Sequence, residues 1–182
     1  MELRHVFFQH VKNLVISILE KFLHETPAQY FNSRVLFVKL ILQRVSSASV
    51  LVDGEVIASI NKGILILFGV EKGDGKEQVL FLVDKTLNLR VFSDENGKMN
   101  FSCIDVRGDI LVVSQFTLLG DCSRGRRPGF DKVAGAVTAR DLYEYYVELL
   151  CKSGLKVDTV KFGANMKLQL VNDGPVTFLL EC

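Results

Sequence analysis

The stretch Ile64-Leu65-Ile66-Leu67-Phe68-Gly69-Val70 is a continuous apolar run. A run of this length reads as a strand buried on both faces. The chain around it is strand-rich. Upstream, residues 35–45 read as a long strand, and residues 50–52 and 55–60 flank Asp53-Gly54, a two-residue hairpin signal. Downstream, Asp74 can cap a helix over residues 76–90, with Val79, Leu82, Val83, Thr86 and Leu87 inward. Asn96-Gly97 marks another turn, and residues 110–115 form a second buried strand. A Gly/Arg loop over 120–129 follows. A second helix is predicted over 131–152, with Val133, Val137, Leu142, Tyr146 and Leu149 on one face and Gly154 as its stop. Residues 155–162, 167–172 and 176–181 close the chain as strands. The pattern predicts one α+β domain over residues 38–182, with a largely antiparallel or mixed sheet and two main helices.

Residues 1–37 read differently. Phe7, Val11, Leu14, Ile18 and Phe22 recur at helical spacing. Lys12, Glu20 and Lys21 interrupt the run, so it does not reach the ~18 apolar residues of a membrane span. No small-residue cleavage site follows it, which disfavours a secretory signal. The segment reads as an N-terminal extension. An amphipathic helix packed on the domain, a start-site extension and an organelle-targeting segment are its three readings, the last the minority one.

Composition narrows the chemistry. The chain has 182 residues, a formal net charge of +1, no Trp and three His. Those three, His5, His10 and His24, all lie in the extension. The main body therefore has no His general base, no Ser-His-Asp triad and no His-ligated metal. Cys103, Cys122, Cys151 and Cys182 are far apart and form no C-x-x-C pair, so free thiols in a reducing compartment are expected, with no metal and no cofactor.

Four segments invite a chemical reading. The segment from Gly69 to Glu77 resembles a phosphate loop, but Val70 occupies a required Gly position and Glu77 replaces the Ser or Thr that holds Mg²⁺. Arg124, Arg126 and Arg127 share a loop with Gly125 and Gly129. They are either a solvated charged loop or a phosphate-contacting one, since Arg forks match phosphate oxygens. Ser114-Gln115-Phe116-Thr117-Leu118 sits where a buried strand exits, a place that lines a site or simply ends a strand. Asn172-Asp173-Gly174-Pro175-Val176-Thr177 interrupts two strands, either as a turn or as a place where a carbonyl approaches a ligand. X-Pro bonds in such turns are the usual home of a cis peptide.

Together, Ser114–Leu118 and Asn172–Thr177 resemble the two signature motifs of the D-aminoacyl-tRNA deacylases. The resemblance extends to Gln43-Arg44-Val45-Ser46-Ser47-Ala48-Ser49-Val50, Gly97-Lys98-Met99-Asn100, Gly125-Arg126-Arg127-Pro128 and Phe162-Gly163-Ala164-Asn165-Met166. It covers residues 38–182 in collinear order. Leu119 departs from the aromatic residue that often follows the first motif, and Arg124 and Gly129 replace the more usual Lys and Ser.

The resemblance implies a barrel-like deacylase fold. It implies hydrolysis of the ester between a D-amino acid, or glycine, and the terminal adenosine of tRNA. It implies a cytoplasmic homodimer in which a cis Gly174-Pro175 pair reaches into the other subunit's active site, holds the amino group and rejects L side chains, an exclusion by shape. Arg44 would buttress that loop, with Asn172 and Thr177 in the same motif. Phe162 and Met166 would lie near the adenosine pocket or pack in the core. Ser114, Gln115, Phe116 and Thr117 would line the catalytic site, with backbone amides near Phe116 and Thr117 stabilising the oxyanion. Thr117 need not be a nucleophile, since no imidazole is there to activate it. Arg124, Arg126 and Arg127 would contact tRNA. The alternatives are a non-catalytic nucleic-acid-binding module on the same fold and a general esterase.

Overall fold

A computed structural model describes residues 38–182, so the extension and the first residues of the predicted opening strand lie outside the described residues. The elements run β1 (Lys39–Val52), β2 (Glu55–Ile60), β3 (Gly63–Gly69), α1 (Lys76–Asn88), β4 (Phe92–Ser93), β5 (Met99–Phe101), a one-turn α2 (Cys103–Val106), β6 (Asp109–Ser114), a 3₁₀ turn (Phe116–Leu119), α3 (Ala136–Cys151), β7 (Val157–Thr159) and β8 (Lys167–Glu181). The class is α+β, as the sequence pattern predicts.

β1 is the spine of the main sheet. On one edge it pairs antiparallel first with β3 and then with β2. The register runs through both, with Val45 facing Gly63 and Ala48 facing Ile60, so β2 and β3 lie along β1 as one bent strand. On its other edge β1 pairs antiparallel with β8. β6 joins β3 in parallel, and β7 joins β6 in parallel, which makes the sheet mixed. The Asp53-Gly54 hairpin forms as predicted, with φ of 51° and 90°, the left-handed conformations that a tight hairpin turn requires. β2 curls back toward β7 and nearly closes a barrel. Side chains make that closure: Asp158 accepts the Ser59 amide at 3.0 Å, and Lys156 donates to the Ser59 carbonyl at 2.7 Å.

Alternation along the strands fills two cores. Leu40, Leu42, Ile64, Ile66, Phe68, Ile110 and Val112 face the helices. Val45, Val50, Leu65, Leu111 and Val113 face the barrel interior. Both faces of β3 are therefore buried, which is why its sequence is continuously apolar. On α1, Val79, Leu82, Val83, Thr86 and Leu87 are buried as predicted, and Leu80 joins them. The buried Thr86 hydroxyl meets Tyr146 of α3, and the Tyr146 ring stacks on Phe68 at 4.6 Å.

Several boundaries differ from expectation. Residues 50–52 continue β1 instead of forming a separate strand. Asp74 does not cap α1. Gly75 holds that position, and the Gln78 side chain accepts the Gly75 amide at 2.9 Å. Asp74 turns back to accept the Glu71 amide, and burial pushes its pKa up to about 6. The second main helix starts at Ala136 rather than 131, because Val133 is bridged to Glu71 and Ala134 donates to the Val70 carbonyl at 3.0 Å. Its inward face is Ala139, Leu142, Tyr143, Tyr146 and Leu150, while Val137 is 64% exposed. The strand predicted over 155–162 is confined to Val157–Thr159. The last two predicted strands are one strand, β8.

Candidate active site

Four residues of β8 crowd against one residue of β1. Gln43 faces Thr177 and Val45 faces Asn172, so Arg44 alone opposes the segment from Asp173 to Val176. The excess chain bulges outward. Val176 anchors it in the core, while Gly174 and Pro175 are exposed at its crest, joined by a cis peptide bond. Arg44, only 8% exposed, braces the bulge from beneath. Its Nε donates to the Asp173 carbonyl at 2.9 Å and lies 3.1 Å from the Asp173 carboxylate. Its Nη1 donates to the carbonyl of Val91, just ahead of β4. Asn172 closes the base, its Nδ2 donating to the Arg44 carbonyl at 2.8 Å and to that of Val176 at 3.3 Å. Gln43 donates to the Thr177 hydroxyl at 3.3 Å.

The other motif lies at the end of β6. Ser114 faces Phe68 in the parallel ladder, and the Gln115 amide still donates to the Phe68 carbonyl at 2.8 Å. The chain then leaves the sheet through the 3₁₀ turn, which Leu119 pins to the core. Phe116 and Thr117 face solvent. The Leu118 amide donates to the Gln115 carbonyl, so the Phe116 and Thr117 amides are first-turn donors that the turn itself does not use. The Gln115 side-chain amide donates to the Thr117 hydroxyl oxygen. A cavity of about 250 Å³ lies on the flank of this turn, lined by Leu118, Leu119, Gly120 and Asp121 with Lys39, Glu71 and Lys132.

The arginine loop begins where the turn ends. Asp121 and Gly129 exchange two backbone hydrogen bonds of 2.8 Å, which close the loop at its base. Arg124, Arg126 and Arg127 are exposed, and none forms an ion pair with another described residue. Phe130, just past the loop, sets its ring 5.2 Å from that of Phe116. The structure therefore groups Ser114–Thr117 with the arginines, and separately groups Arg44 with Asn172–Thr177.

The two groups stay apart within the chain. Arg44 lies level with Ile64, and Ser114 lies level with Phe68, four residues further along β3. Four residues of strand span on the order of 13 Å, and β1 and β3 intervene between β8 and β6. Phe162 packs on the helix-side core, its ring 5.9 Å from that of Tyr143, and Met166 packs on the barrel core. Val91 and Phe130 are not singled out by the sequence. Their parts depend on contacts that only the folded chain makes.

A family model described as D-Tyr-tRNA(Tyr) deacylase matches residues 41–181. The chain belongs to that deacylase family. It is 53% identical over 145 residues to the D-aminoacyl-tRNA deacylase of Thermosipho melanesiensis, covering 79% of this chain and 97% of that one. It is 52% identical over 144 residues to the deacylase of Geotalea uraniireducens, covering 79% and 93%. A solved structure of a c-Myc DNA unwinding element binding protein superposes with a TM-score of 0.74 at 41% identity, covering 79% of this chain and 98% of the other. A solved structure described as a probable eukaryotic D-amino acid tRNA deacylase superposes with a TM-score of 0.72 at 16% identity, covering 81% and 100%. The second likeness speaks to the fold alone.

The chemistry this candidate site can offer is narrow. Its own donors are backbone amides, one hydroxyl and one carboxamide at the turn. No helix among the described residues is long and apolar enough to cross a membrane.

Proposed function

We infer that this chain hydrolyses the ester joining a D-amino acid, or glycine, to the terminal adenosine of a tRNA, and spares the L-aminoacyl ester. The observation that carries the reading is the exposed turn Phe116–Thr117, with two amides that the turn itself leaves unused, in a chain of the deacylase family. An ester carbonyl lodged against those amides gains its oxyanion stabilisation there, about 3–4 kcal/mol for each well-placed donor. The aminoacyl ester is already activated, and the adjacent ribose hydroxyl of the substrate helps orient the attacking water. Thr117 takes a hydrogen bond from Gln115, so its own proton is free to be donated to substrate or water. A nucleophilic hydroxyl needs the opposite, an acceptor for its proton. On this reading Thr117 orients substrate or water, and Gln115 is not a base that could activate it for attack.

Selectivity belongs to the Gly174-Pro175 crest. The separation between the crest and the turn within one chain favours a homodimer in which each crest enters the partner's site. There its carbonyls take the substrate's amino group and its bulk excludes an L side chain, while glycine passes. Such an enzyme serves as a chiral check on translation. Cytoplasmic residence is the reading that fits that role, with organelle targeting by residues 1–37 as the minority one, and imaging the tagged full-length chain in its own cell tests it.

The binding-only reading also has an observation behind it. The relative at 41% identity is named for binding a DNA element, and three arginines with no ion-pair partner among the described residues suit any phosphate backbone. One experiment decides between the readings. D-Tyr-tRNA and L-Tyr-tRNA are incubated with enzyme well below substrate. Many turnovers of the D form, with the L form intact, are expected. Equal hydrolysis of both would remove the chiral role, and hydrolysis of neither would leave the binding module.

A further inference from the structure

The arginine loop is joined to the catalytic turn by an aromatic pair that the reaction itself does not require. Phe116 is 55% exposed and Phe130 is 40% exposed, with ring planes tilted by 59°. The position of Phe130 is built in. A Cβ added to Gly120 would lie 3.2 Å from the edge of the Phe130 ring and 3.1 Å from the Thr117 carbonyl. A side chain there would push the ring or the turn back by a few tenths of an ångström, so the glycine lets the ring rest against the end of the turn. The Phe130 carbonyl accepts the Val133 amide at 3.1 Å, which fixes the backbone on its far side. The loop beyond is closed at Asp121–Gly129, and the Asp121 carboxylate is turned inward to accept the Ser123 amide at 2.8 Å.

An exposed aromatic face beside unpaired arginines is the combination that holds single-stranded nucleic acid. A base stacks on the ring while guanidinium groups take the flanking phosphates. On the reading above, the terminal nucleotide's ester carbon sits at the Phe116 and Thr117 amides. The next unpaired nucleotide upstream is then the group that reaches the neighbouring ring. We propose that Phe130 is a base-stacking residue for the nucleotide preceding the terminal adenosine, with Arg124, Arg126 and Arg127 holding the phosphates on either side of it. This inference rests on the proposed hydrolysis and adds a subsite to it.

The test compares two substrates on one enzyme preparation: full D-Tyr-tRNA, and D-tyrosyl-adenosine, which lacks every upstream nucleotide. Each is assayed with the wild type, Phe130→Leu and Phe130→Tyr. The ratio of kcat/KM on tRNA to kcat/KM on the adenosine ester is the readout, so any loss of folded protein cancels. Phe130→Leu is expected to lower that ratio about tenfold through KM, and Phe130→Tyr to restore it. An equal change on both substrates, or an unchanged ratio, overturns the subsite. A Phe130→Leu enzyme that sediments as a monomer where the wild type is a dimer also overturns it, because the ring then belongs to a subunit contact. A wild type that hydrolyses neither substrate defeats the parent reading instead.

Discussion

Thr117 shows how much of a site a single residue's surroundings decide. Its position at a strand exit is readable in the sequence, and the absence of any His after His24 already argues against an activated nucleophile. The hydrogen bond from Gln115 removes one further base, since a carboxamide N–H cannot receive the hydroxyl proton. Thr117→Ala is therefore expected to keep measurable D-Tyr-tRNA hydrolysis, reduced by roughly tenfold, as befits the loss of one orienting hydrogen bond. Complete loss in a variant with wild-type circular dichroism would restore the nucleophile, whose removal typically costs on the order of 10⁴-fold or more. The partners of Arg44 were beyond sequence reading for a plain reason. Its two carbonyl acceptors lie 129 and 47 residues away along the chain, and no local pattern encodes such a pairing. Asp74 shows the opposite failure. Its type suits a helix cap, but the chain doubles back at Glu71 and claims the carboxylate first.

At the scale of elements, β8 is the instructive case. Gly174-Pro175 punctuates the sequence in the same way whether it makes a turn between two strands or a bulge within one. Only the register against β1 separates the two, and that register belongs to a strand that begins the sheet. The second main helix fails at its start for a related reason, since Val133 fits the helical face but is taken by the bridge to Glu71. The interiors of the long elements were legible, because α1 and β3 are dictated by their own periodicity. The bulge also yields a prediction. A Cβ added to Gly174 would lie 2.4 Å from the Asn172 side-chain oxygen, while the amide nitrogen of that side chain is held at 2.8 Å by the Arg44 carbonyl. Gly174→Ala must therefore displace either the crest or the brace at its base. Misplacement near 1 Å at a reacting centre costs about 10²-fold, so kcat/KM for D-Tyr-tRNA is expected to fall by that order. The exposed crest carries little core packing, and the melting temperature should move by only a few degrees. Wild-type kcat/KM in this variant would show that the crest takes no part in the reaction.

At the scale of the whole molecule, the proposed site is one that a single copy would leave unfinished. The crest and the turn are separated across the sheet within one chain, and the proposed function assigns half of the chemistry to each. The enzyme is accordingly expected to sediment at twice 20.4 kDa, and dilution into monomer should abolish turnover. A fully active monomer would contradict the shared site. The mixed sheet and the α+β class were legible from the order of elements. The near closure of the barrel was legible through the family resemblance and not through the order of elements, because β2 and β7 are tied by Asp158 and Lys156 side chains instead of a ladder.

The pairing of β1 with β8 has a further consequence, for synthesis. Lys39 faces Glu181, so the first described strand finds its edge partner only in the last residues of the chain. Contacts between such distant segments close late and slow folding. A nascent chain still attached to the ribosome, with its final strand in the exit tunnel, has β1 exposed along one whole edge and Arg44 without the carbonyl of Asp173. The protein proposed to check the products of translation can itself gain the brace beneath its crest only once its β8 has left the ribosome.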